Sequence, residues 1–137
     1  MRTTHELIEA LRDNDPRRRL WAATFAGGFG GKAIDSLSHF AEVIDEIVND
    51  TKGDREAYKF PTEHEEELFL GRGIVSMAAV ASAIPVHDAC RGESRQMVLR
   101  SMETLSRDSR IQVIGHLVFA IEKLGVTSEG TASQLEM

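Results

Sequence analysis

With 137 residues, 42% of them apolar, the chain can bury one ordinary hydrophobic core and not two. Its net charge of −6 disfavours a nucleic-acid partner, and no run of about eighteen uninterrupted apolar residues is present to cross a bilayer. The single cysteine, Cys90, permits no internal disulfide, and the amino terminus lacks the layout of a secretory signal, so a cytoplasmic setting is expected.

Three prolines and few β-branched runs predict an all-α fold, a compact bundle of about five helices over residues 1–125. Thr3 or Thr4 can cap a first helix that reaches about Asp13, with Leu7, Ile8 and Leu11 on one side. Asp15 followed by Pro16 starts a second, since proline at the first helical position gives up no hydrogen bond. Within it Trp21 is expected to anchor the helix to the core.

The stretch Ala22 to Lys32 holds four glycines in five positions. Read as helix, it sets Ala22, Ala26 and Gly30 in one row and Ala23, Gly27 and Gly31 in another, so that a second backbone can come close. Each glycine costs a helix about 0.5–1 kcal/mol relative to alanine, so a break near Gly28 is expected. Two recipients fit the rows: a second copy, giving a homodimer through Ala23, Gly27 and Gly31, or the equally small Gly71 to Ala83 segment of the same chain.

Ile34, Leu37, Ala41, Ile44 and Val48 recur at threes and fours and predict an amphipathic third helix, followed by a connection over 49–61. Thr62 with Glu65 forms a capping box, and the helix behind it is small or apolar on nearly every side from Gly73 to Ile84, which predicts a central position. Val98, Met102 and Leu105 mark a fifth helix; Ile111, Ile114, Val118, Ile121 and Leu124 mark a last one, ended by Gly125. Residues 126–137 are polar and uncapped and read as a flexible tail.

Charge is unevenly spread. Residues 1–32 carry six basic and four acidic groups, residues 33–67 three and eleven, and the remainder seven and seven. The middle segment therefore presents an acidic face suited to a protein partner, with Glu42, Glu46, Asp50, Glu63 and Glu67 as its contact residues. Arg17, Arg18 and Arg19 stand at a helix start, where the dipole disfavours cations, and form a second, basic candidate contact.

No complete catalytic motif is present. Gly31-Lys32 lacks the upstream glycine and following hydroxyl of a phosphate-binding loop, and the histidines are not spaced as a metal set, so neither cofactor nor metal is called for. The one enzymatic lead is the pair of acidic steps Glu42-Val-Ile-Asp45 and Glu63-His-Glu-Glu66, which together with Glu46 could converge on Mg²⁺ if their helices lie antiparallel. Over about 45 residues this pattern resembles, with the acidic steps in altered order, the all-α MazG-type nucleoside triphosphate pyrophosphohydrolases. That resemblance implies Mg²⁺-dependent release of pyrophosphate. The reading of the residues themselves favours a non-enzymatic adaptor, inhibitor or small regulatory subunit, with the pyrophosphohydrolase as the alternative.

Overall fold

A computed structural model describes residues 3–49, 60–85, 87–107 and 111–124. The expected tail over 126–137, the Gly125 terminator, Asp50 and most of the connection after the third helix lie outside the described residues. The fold is all-α, as the composition predicts. The described residues form six α-helices, α1 (Thr4–Leu11), α2 (Pro16–Phe25), α3 (Ser36–Val48), α4 (Glu63–Ser82), α5 (Arg91–Leu105) and α6 (Ile111–Lys123), with a 3₁₀ segment (Ala26–Ala33) between α2 and α3.

Helix starts follow local chemistry. The Thr3 hydroxyl accepts from the Glu6 amide at 3.2 Å, Asp15 Oδ1 from the Arg17 amide at 2.9 Å ahead of Pro16, and the Thr62 hydroxyl from the Glu65 amide at 3.1 Å. Each cap satisfies an amide that the first helical turn leaves open, a contribution of about 1 kcal/mol. The glycine-rich stretch keeps helical character as 3₁₀ turns. The break comes at Gly30, two residues later than expected, where φ is +59° and ψ −146°. Only glycine occupies that region of backbone space without strain.

Around α4 the other helices take fixed directions. Ala23, Gly27 and Gly31 meet α4 at Ser76, Ala79 and Ala83 in turn, so α2 and the 3₁₀ segment run parallel to it. Phe40 and Ile44 of α3 lie at Gly73, and Asn49 at the end of α3 accepts from Arg107 just beyond α5, so α3 and α5 run the other way. α6 returns parallel to α4, with His116 against Gly71, and the Arg95 guanidinium of α5 donates to the Leu124 carbonyl at its end. α1 packs on α2 and α3 and buries Leu7, Ala10 and Leu11.

The close approaches depend on missing side chains. A Cβ placed on Gly27 would stand 3.2 Å from the Ala79 Cβ, and one on Gly31 would stand 3.5 Å from the Ala83 carbonyl oxygen. A Cβ on Gly71 would lie 2.5 Å from two His116 ring atoms and 2.9 Å from its Cβ, a clash in which α6 itself must shift. Gly71→Ala is therefore expected to lose about 1–3 kcal/mol of stability despite alanine's better helix propensity. Denaturant titration with near-ultraviolet and helical circular dichroism measures this; a stabilised Gly71→Ala protein would contradict the packing. Gly27→Leu should lower stability by at least as much, because its extra carbons meet α4 in the same molecule.

Candidate functional site

The acidic residues of α3 and α4 differ in their exposure and in the contacts they make. On α3, Glu42, Asp45 and Glu46 are all exposed, but Glu42 forms an ion pair with Arg12 at the end of α1. The same guanidinium donates through Nε to His39 Nδ1 at 3.1 Å, so Arg12, His39 and Glu42 tether α1 to α3. Asp45 Oδ1 accepts from the Asn49 side chain at 2.7 Å, within one helical turn. On α4, Glu63 is exposed and Glu66 and Glu67 are half-buried.

The antiparallel course of α3 and α4 brings these two acidic sets toward the same end of the bundle. Among the described residues, however, no three His, Cys, Asp or Glu side chains come close enough to hold a metal ion. Glu42, Asp45, Glu46, Glu63 and Glu66 thus make no described metal cluster, and the alternative reading gains no geometry from them.

The three consecutive arginines have three different surroundings. Arg17 projects into solvent with Asp15 at 3.5 Å, and Arg18 pairs with Asp13 at 2.6 Å. Arg19 does not belong to the surface as the sequence reading had it: it is fully buried, with its guanidinium 4.7 Å from the centre of the Phe60 ring and Nη1 donating to the Asp13 carbonyl at 2.8 Å. Phe60 in turn packs on Phe69 of α4, ring centres 5.2 Å apart. Arg19 is thus a structural cation that joins the α1–α2 turn to the entry of α4. The Asp15 amide, followed by Arg18 and then Arg19, holds the Asp13 carboxyl below its ordinary value of 3.8, against an opposing effect of burial.

The small-residue rows face inward. Ala22, Ala23 and Ala26 are fully buried, and Gly27 and Gly31 lie on α4, so Ala23, Gly27 and Gly31 are occupied by the chain's own central helix. Of the two recipients that the sequence allowed, α4 of the same chain meets this row at Ala79 and Ala83.

What sequence reasoning missed is a set of large apolar side chains left at the surface. Trp21 and Phe25 on α2 and Ile114, Val118 and Phe119 on α6 are between 36% and 54% exposed. Trp21 is therefore not a core anchor; it leans on Phe25 instead, ring centres 5.8 Å apart. On α6 the buried side is Val113, Ala120 and Leu124, which leaves Ile114 and Val118 exposed on one flank and Phe119 on the other. The Ile114 to Ile121 spacing had merged both faces into a single stripe.

Between α2 and α6 runs a seam on α4. From Phe69 to Ala81 every residue is buried except Arg72, Val75 and Ala79, and Leu68 and Ser82 extend the same line at helical spacing. Gly71, under α6, and Ser76, under α2, lie on opposite sides of it. Arg72 crosses it to donate to the Thr24 hydroxyl at 3.1 Å.

Comparison with protein-family models, with curated proteins and with solved structures finds no match to this chain. The described helices include none long and apolar enough to cross a membrane.

The tether and the solvent-facing acids separate by mutation. Glu42→Lys sets an ammonium against Arg12 and should cost about 0.5–1 kcal/mol, a fall of a few degrees in the unfolding midpoint. Glu46→Lys should leave that midpoint nearly unchanged. Equal effects in thermal denaturation would contradict the division.

Proposed function

We propose that this chain is a protein-binding module, an adaptor, inhibitor or small regulatory subunit that acts by occupying a partner's surface. The observation that carries this reading is the exposure of Trp21, Phe25, Ile114, Val118 and Phe119 on a protein whose core is otherwise closed. Leaving large apolar groups in water forgoes about 25 cal/mol for each Å² that burial would remove, and association with a partner is what would cover them. Tryptophan and arginine, the residue types that dominate binding energy at interfaces, stand together on α2 as Arg17, Arg18 and Trp21.

The solvent-facing acids Asp45, Glu46 and Glu63 serve this reading as steering charges. They lie toward one end of the bundle and raise the encounter rate with a basic partner surface, whereas the apolar groups hold the complex once formed. Within this reading Glu42 contributes to the surrounding potential, and its direct contact is with Arg12.

Affinity capture from the native host tests the proposal by comparing the wild-type chain with a Phe25→Ser, Val118→Ser, Phe119→Ser variant. The variant should keep the helical spectrum and unfolding midpoint while losing the proteins that the wild type retains. An identical set of retained proteins would overturn the assignment of these side chains to binding. Asp45→Lys with Glu46→Lys should instead slow association with a retained partner and flatten its salt dependence.

A further inference from the structure

We draw no further inference here: the strongest candidate, the surface patch on α6 that exposes Ile114 and Val118 on one flank and Phe119 on the other, carries nothing beyond the protein-binding reading above, because nothing in the structure shows what covers it.

Discussion

The fold depends on how closely α4 is approached. A helix small or apolar on nearly every side can be enclosed by several neighbours only if those neighbours come within backbone distance, and here they do so at glycines: Gly27 on Ala79, Gly31 on the Ala83 carbonyl, and Gly71 beneath His116. Each contact exchanges side-chain bulk for dispersion contacts between main chains and short side chains. The cost in helix propensity is met by letting the glycine stretch relax into 3₁₀ turns that end at Gly30 with a positive φ. α2 and the 3₁₀ segment are drawn against one side of α4 and α6 against another, and between them lie the half-buried Arg72, Val75 and Ala79.

A second consequence concerns charge. Arg19 is taken into the interior because the α1–α2 turn offers it the Asp13 carbonyl and the start of α4 offers it the face of Phe60. Arg17 and Arg18 on the same turn remain outside. Acidic groups concentrate on α3 and the first turn of α4, and the exposed cations of α2 are Arg17 and Arg18. The surface thus has two electrostatic characters, arranged by helix rather than by sequence block. Under the proposed protein-binding reading, the exposed apolar groups on α2 and α6 are what a partner would cover.

Much of the fold was legible in the chain, because helix starts and stripes are local. Thr3, Asp15 with Pro16 and Thr62 act as caps at their expected places, and the α3 stripe buries Leu37, Phe40, Val43, Ile44 and Ile47. The central placement of α4 followed from its composition. Burial of a charge was not legible: three adjacent arginines look alike in sequence, and only the arrival of Phe60 from forty residues away distinguishes Arg19. Nor does an apolar helix declare which side is covered. The α6 residues form one broad stripe in the sequence, yet its core face is Val113, Ala120 and Leu124, and the remainder stays in water. Trp21 misled for the opposite reason, since an aromatic's usual burial says nothing of the helix face on which it stands.

Solvent exposure along α4 tests the central claim most directly, because the account makes this helix the enclosed centre of the fold and leaves Leu68, Val75 and Ala79, between α2 and α6, half-buried. Addition of a water-soluble nitroxide to the labelled protein measures how near each methyl group comes to solvent. The account predicts strong broadening at Leu68, Val75 and Ala79 and at the Phe119 ring, with Ile74, Met77, Ala78 and Val80 unaffected. Broadening of Val75 and Ala79 no greater than that of Ile74 and Met77 would show the seam to be closed, and would contradict it.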